Sequence, residues 1–369
     1  MALAAPQYSY HIYDSVTDVY QLTLPLSGVS FSNAINGGGT FSATLSISDP
    51  IFQSGEIPWQ DSTNPKINRS LWIERNGSVV WGGFIMGRSY DSSSQTITLT
   101  GTTFETYASM RPQRVPINFT NTDILTVARN IWARQDLNDH EPDWVYDSNL
   151  SGNKITLVSQ WWQEISQYMD NLVALTPGIE YYIDTYYDPT SPNLPVVKKK
   201  FFVASPALPA DDVALTVSLN PTGGNILNYT VAEDGTQFMT KMYALGSGTD
   251  SAQIFGQYFA NDLLDLGYMD VAQTVSYTDN TSATSLTAIA KQAVLKATSK
   301  QLSFTVTVKP DESFNLPSIK LGRLVTIQIQ DPYFPAGYTN KLRLISYTVT
   351  PGDNGEESIQ AVLEQVFSG

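Results

Sequence analysis

Cysteine is absent from the chain. That excludes a disulfide framework, a thiolate nucleophile and a thiolate metal site, so stability has to come from packing and assembly. Histidine is nearly absent too: His11 and His140 are the only two, and neither has a second ligand type at the spacing of a zinc helix. A serine triad needs a Gly-x-Ser-x-Gly elbow to present its serine, and no such stretch occurs. No catalytic, cofactor-binding or metal-binding residue is therefore assigned, and the expectation is a protein that is not an enzyme. Charge is scarce, at 15% of residues against roughly 25% in an average soluble protein. Bases are the scarcer sign, 21 against 35 acids, for a net charge of −14. Such a chain lacks the basic footprint that holds phosphates, which argues against a sequence-specific reader of DNA or RNA. No apolar run approaches the ~18–20 residues needed to cross a bilayer. The N-terminus, MALAAPQYSYHIYD, also lacks the basic start and long apolar stretch of a signal peptide. A product of the cytoplasm with no stable membrane binding is expected.

The 369 residues that remain to be explained are enough for two or three domains. Ser, Thr, Asn, Tyr and Gly are plentiful, a usage that favours strands and turns. Residues 1–112 alternate apolar and polar through YSYHIYD, DVYQLTLPL, FSATLSI, SLWIERNGSVVWGGFIMGRSYD and SQTITLTGTTF, which predicts an all-β domain. Asn76-Gly77 between two of these runs predicts a tight hairpin, because this pair most easily takes two positive φ angles. From about Val115 the period changes to 3.6. Asn121-Thr122-Asp123 offers helix caps, and Ile124, Leu125, Ala128, Ile131 and Trp132 fall on one face. A second helix is expected over about 160–175 on Trp162, Ile165, Met169 and Leu172, stopped by Thr176-Pro177-Gly178. Residues 113–208 thus form an expected α/β domain. Proline-punctuated stretches at 190–195 and 205–209 read as loops or a linker. Strands then resume over 209–369, interrupted at about 250–300 by an insertion with a helix at 285–298. The expected fold class is mainly β with α+β insertions: two β-barrel domains, a small α/β domain and a helical insertion.

Some clusters invite a chemical reading. Residues 131–190 hold ten acids, Asp136, Asp139, Glu141, Asp143, Asp147, Glu164, Asp170, Glu180, Asp184 and Asp188, against only Arg134 and Lys154. Two carboxylates suffice for glycoside hydrolysis, with Asp143, Asp147, Asp184 and Asp188 as candidates, but a solvated acidic face explains them equally. Trp161-Trp162, Tyr181-Tyr182 and Tyr186-Tyr187 could stack on sugars, although core and interface packing is the commoner use. Gly37-Gly38-Gly39 lacks the Gly-Lys-Ser/Thr ending of a phosphate loop and reads as a mobile loop between strands. Lys198-Lys199-Lys200 reads as a solvated strand end or a salt-bridged subunit contact. Glu233-Asp234-Gly235 and Asp353-Asn354-Gly355 lack the spaced ligands of a calcium loop and read as turns.

Three stretches carry a family likeness. They are residues 41–47 (FSATLSI), 71–85 (LWIERNGSVVWGGFI), and Ile97-Thr98-Leu99-Thr100-Gly101 leading to Tyr107-Ala108-Ser109-Met110-Arg111. Later, Asp262-Leu263-Leu264-Asp265-Leu266-Gly267-Tyr268, the helix from Ser285, and residues 319–327 continue it, with Arg323 where an acid is often seen. In this order of elements the chain resembles the minor tail hub proteins of long-tailed bacteriophages, of the actinobacterial-phage type. The resemblance implies two similar barrels that assemble as a homotrimer into a pseudo-sixfold collar at the tail tip of the virion. It implies contacts with the distal tail or tail tube protein, the C-terminal end of the tape-measure protein and other minor tail proteins or fibres. DNA would pass only transiently during genome ejection, and an acidic wall would let it slip. The alternatives are a carbohydrate-binding or wall-hydrolysing tail protein and a sixfold distal tail ring protein. Both β domains also show short alternating strands and a Gly-containing turn before a hydrophobic strand, Trp81-Gly82-Gly83-Phe84 in one and Leu321-Gly322-Arg323-Leu324 in the other, which predicts one shared barrel topology.

Overall fold

The computed structural model describes residues 6–53, 69–133, 143–158, 162–175, 177–190, 196–209, 215–233, 235–236, 238–277, 282–299, 302–312, 314–316, 319–352 and 356–365. Seven strands build the first unit: β1 (Tyr8–Asp14), β2 (Tyr20–Leu24), β3 (Ser27–Ala34), β4 (Thr40–Ser46), β5 (Arg69–Arg75), β6 (Ser78–Asp91) and β7 (Thr96–Thr103). A single helical turn, α1 (Pro50–Gln53), follows β4. The period of two works as expected. In β4, Phe41, Ala43 and Leu45 are buried while Thr40, Ser42 and Ser46 are exposed. Asn76 and Gly77 take φ angles of 51° and 85° and close the β5–β6 hairpin.

The middle unit begins with a 3-10 turn (Phe104–Met110) and continues through β8 (Asn118–Asp123), α2 (Ile124–Ala133), β9 (Trp144–Tyr146), β10 (Lys154–Val158), α3 (Ile165–Ala174), β11 (Glu180–Tyr187) and β12 (Val197–Ala204). Strands β8 and β10 pair with each other, while β12 lies between β11 and β9. Asp123 caps α2 as its position suggested: Oδ1 accepts the Leu125 amide at 3.0 Å. The apolar faces of α2 and α3 are buried together, with Trp132 stacked on Phe201 at 4.6 Å. Trp162 is a correction. It precedes the helix at φ 64° and is exposed rather than on the buried stripe.

The second β unit comprises β13 (Leu215–Asn220), β14 (Gly223–Gly224), β15 (Ile226–Glu233), β19 (Leu302–Val308), β20 (Leu324–Ile329), β21 (Tyr338–Pro351) and β22 (Glu357–Gln365). The insertion between β15 and β19 starts earlier than the helical period alone suggests. It holds its own three-stranded sheet of β16 (Lys241–Leu245), β17 (Phe255–Phe259) and β18 (Ala272–Ser276), besides α4 (Asn261–Asp265) and α5 (Ala283–Ser299). Helix α5 lies flat on this sheet because Gly256 has no side chain: a Cβ there would meet the Thr287 backbone at 2.1 Å. Met242, Ala244, Ala260, Leu286, Ala290 and Val294 form a small separate core.

The two β units repeat one ladder order. The first runs β2-β1-β5-β6-β7-β4-β3 and the second β14-β13-β20-β21-β22-β19-β15, so that in each the strands follow 2-1-5-6-7-4-3 in order of appearance. The five strands at positions 5-6-7-4-3 are antiparallel throughout in both units. One ladder differs: β1 meets β5 antiparallel, whereas β13 meets β20 parallel. The end strands of the first unit, β2 and β3, are separated only by Pro25-Leu26, which can span no more than about 10 Å. In the second unit Asn225 ties the ends, accepting the Ser218 amide at 2.8 Å and the Lys309 amide on its backbone oxygen at 2.8 Å. The expected turn equivalence is corrected by this order. Trp81-Gly82-Gly83-Phe84 lies inside β6, which corresponds to β21, whereas Leu321-Gly322-Arg323 leads into β20, which corresponds to β5. Strand β21 joins the units, because residues 346–349 take β3 on the side where residues 338–343 take β20. One sheet of fourteen strands results, with a shared core running from Ile12, Phe31 and Leu45 to Val325, Leu344 and Leu363.

Candidate functional site: a junction of three units

Among the described residues, each pair of units is joined by an ion pair with little exposure. Between the first and middle units, Lys199 Nζ donates to both carboxylate oxygens of Asp18 at 2.6 Å, with the Lys199 side chain fully buried. The ammonium lies 5.3 Å from the Phe104 ring and 5.8 Å from the Trp72 ring. Burial pulls Lys199 below the usual lysine range, against the attraction of Asp18. Between the middle and second units, Arg343 forks onto Glu180, with Nη1 to Oε1 at 2.8 Å and Nη2 to Oε2, and Glu180 also accepts the Leu208 amide at 2.9 Å. Between the first and second units, Arg75 Nε donates to Glu357 at 2.9 Å, and the Tyr8 hydroxyl donates to the same carboxylate.

The turn from β3 to β4 touches all three units. Ile35 donates its amide to Ile345 in β21 at 3.0 Å, and Asn36 exchanges bonds with Tyr181 in β11 at 2.9 and 2.8 Å. Gly39 donates to the Thr103 hydroxyl at 2.7 Å. The triple glycine is therefore a packed turn and not the mobile loop expected. A Cβ on Gly39 would fall 1.7 Å from the Ser32 oxygen, and one on Gly38, where φ is +64°, would fall 2.4 Å from the Thr103 hydroxyl. Beneath the turn Glu105 is buried, with Oε1 accepting the Ile183 amide at 2.6 Å. Burial pushes its carboxyl above the usual range, opposed by Thr103 and by that amide. No pattern in the sequence marks Glu105, because its environment comes from Gly38 and Ile183, each far away along the chain.

Among the described residues the candidates for chemistry do not converge. His11 bonds Thr23 through Nδ1 at 2.8 Å on the β1–β2 ladder, and His140 lies outside the described residues. Among the acids, Asp147 pairs with Lys200 at 2.8 Å, Asp184 with Lys320 at 3.5 Å and Glu180 with Arg343, whereas Asp188 accepts from the Thr190 amide at 2.9 Å. Asp143, Glu164 and Asp170 are exposed, and Asp136, Asp139, Glu141 and Arg134 lie outside the described residues. The lack of nearby bases in the sequence was misleading. Partners come from beyond the segment, Lys200 reaching Asp147 from β12 while Lys320 and Arg343 reach Asp184 and Glu180 from the second β unit. Lys199 is likewise neither solvated nor at a subunit contact. Tyr181 and Tyr182 are buried, Tyr187 bonds Glu74 at 2.7 Å, Trp162 is exposed, and Trp161 lies outside the described residues. Tyr186 is half-buried, and the described members of this set are not gathered on one exposed face. Glu233 ends β15, while Asp234 and Asp353-Asn354-Gly355 lie outside the described residues. No group of three or more metal-ligating side chains occurs among the described residues.

No protein-family model matches the sequence, and no curated protein matches it. Solved structures do match along almost the whole chain. A tail protein from Neisseria meningitidis MC58 is 12% identical, with a TM-score of 0.65 over 97% of this chain and 96% of its own. The 43 kDa tail protein of prophage MuSo2 from Shewanella oneidensis is 10% identical, with a TM-score of 0.63 over 96% and 98%. The prophage tail protein gp18 from Listeria monocytogenes EGD-e is 11% identical, with a TM-score of 0.59 over 98% and 95%. The chain has the mainly β fold that these phage tail proteins share.

Proposed function

We propose that this protein is a structural component of a bacteriophage tail, and within it the hub at the tip of the tube, made as a homotrimer of the actinobacterial-phage type. The observation that carries the tail assignment is the agreement of fold with three phage tail proteins over at least 95% of each chain, insertions included. The hub assignment draws on the repeated strand order, since two like units per chain let three copies present six like units to a sixfold tube. Each unit closes as a barrel in this reading, its end strands already brought together by Pro25-Leu26 and by Asn225. Three ion pairs tie the first, middle and second units of each copy together, suited to hold the tube shut and pass its opening to neighbouring tail proteins. No enzymatic role is assigned, because the carboxylates are spread among separate partners. The distal tail or tube protein, the tape-measure C-terminus and other tip proteins or fibres are the proposed partners, with DNA in passage only. Native mass of the purified chain tests the assembly, three copies being expected and six pointing to a distal ring. Imaging of virions with this chain labelled tests the position, and label along the tube instead of at its tip overturns the hub reading.

A further inference from the structure

The β3–β21 contact joins the third strand of one unit to the sixth strand of the other, and among the described residues nothing occupies its counterpart. Strands β21 and β6 are both 14 residues long. Each carries a one-residue bulge against its seventh-position neighbour, between Leu344 and Ser346 in β21 and between Ile85 and Gly87 in β6. Counted from the bulge, Tyr347, Thr348 and Val349 correspond to Arg88, Ser89 and Tyr90. In β21 these residues pair with Asn33, Ser32 and Phe31 of β3. In β6 the same edge pairs with β5 only as far as Phe84, and among the described residues no ladder covers it beyond. Tyr90 is 56% exposed there.

Strand β15, the counterpart of β3, has the matching vacancy. Among the described residues it pairs with β19 on one side only, and Leu227, Ala232 and Glu233 are exposed. Through the shared ladders Val231 faces Phe304 as Phe31 faces Phe41, so Val231, Ala232 and Glu233 correspond to Phe31, Ser32 and Asn33. An uncovered edge of eight residues with no proline and no lysine is a template for another strand.

We infer that β15 of one copy pairs antiparallel with residues 87–90 of β6 in a second copy, repeating between chains the β3–β21 contact made within one. The register sets Glu233 against Arg88 and Val231 against Tyr90, an opposite-charge pair beside an apolar pair on one face. Neither Glu233 nor Arg88 has a counterpart charge in the internal contact, where Asn33 meets Tyr347. The contact is heterologous, one edge of each kind per copy, so repetition closes a ring or continues a filament. The inference rests on the self-assembly proposed above and adds the surface and its register.

The absence of cysteine allows a direct test. Ala232→Cys with Ser89→Cys in one chain should give covalent multimers on oxidation, up to the copy number of the ring, and either single variant should give none. Ser32→Cys with Thr348→Cys, a register pair inside one chain, serves as the control that must close in the monomer. E233R and R88E should each weaken self-association at least about tenfold, and the combined reversal should restore it. A particle of unchanged mass that forms the control disulfide but no cross-chain one places the interface elsewhere and overturns this inference alone. A wild-type chain that stays monomeric at every concentration removes the self-assembly reading as well.

Discussion

Lys199 shows how a single side chain is decided by its neighbours and not by its sequence context. Three adjacent lysines look like a solvated run, but strand alternation sends Lys198 and Lys200 to one face and Lys199 to the other, under Trp72 and Phe104. Breaking a buried pair from one side leaves the other charge stranded. Lys199→Ala should therefore lower unfolding stability by about 3–5 kcal/mol, and Lys199→Met combined with Asp18→Asn should recover most of the loss. Urea denaturation of the three proteins measures this, and equal losses in the single and double variants would show that packing, not charge, is at stake. Glu105 gives the opposite dependence on pH from an ordinary carboxylate. Its folded pKa is raised, so the folded state holds the proton more tightly and stability falls as pH rises from the unfolded carboxylate range through the folded pKa. Glu105→Gln should melt a few degrees above wild type at pH 8, with the gap closing toward pH 4, a comparison that thermal melts across pH decide. Neither residue was legible in the sequence, because burial of a charge depends on what lies across the sheet.

Elements were far more legible than residues. The alternating runs gave β1, β2, β4–β7 and β19–β22 nearly to their ends but not β3, and the 3.6 period gave α2, α3 and α5, since one-sided burial writes itself into the spacing of apolar residues. Short strands in the insertion were missed. Strands β16, β17 and β18 are only 5 residues each, too short for a period of two to stand out beside the 17-residue helix α5. The cap of α2 was legible, but its second task was not. Asp123 Oδ2 also accepts the amides of Ser151 at 3.0 Å and Gly152 at 2.8 Å, so one carboxylate starts a helix and fixes the turn before β10. Burial by itself would raise its carboxyl, but the hydrogen bonds from Gly152, Ser151 and Leu125 together outweigh burial and hold it below the usual aspartate range. Asp123→Ala should cost about 1–2 kcal/mol for the cap and raise hydrogen exchange at residues 124–126 and 151–154 together. Faster exchange confined to the helix start would separate the two tasks.

At the scale of the whole molecule, the units differ in how they depend on one another. The two β units share one core, and β3 completes its hydrogen bonding only on β21, so neither unit can expose its partner's face without losing part of its own. They should unfold in one transition. The insertion is different, because it has a separate core and leaves the sheet at one point. Glu233, the last residue of β15, lies directly opposite Leu302, the first of β19, so the chain departs and returns at neighbouring positions about 5 Å apart. Replacing residues 234–301 by a short Asn-Gly turn should convert β15 and β19 into an ordinary hairpin and leave the remaining strands folded. The shortened chain should keep a single cooperative melt and the β circular-dichroism signature, and should still close the Ser32→Cys with Thr348→Cys disulfide. Because β15 retains its free edge, it should also keep the native mass of the assembly. A soluble shortened chain that stays monomeric would instead assign self-association to the insertion, whereas an aggregated one would show that its small core supports the β units after all.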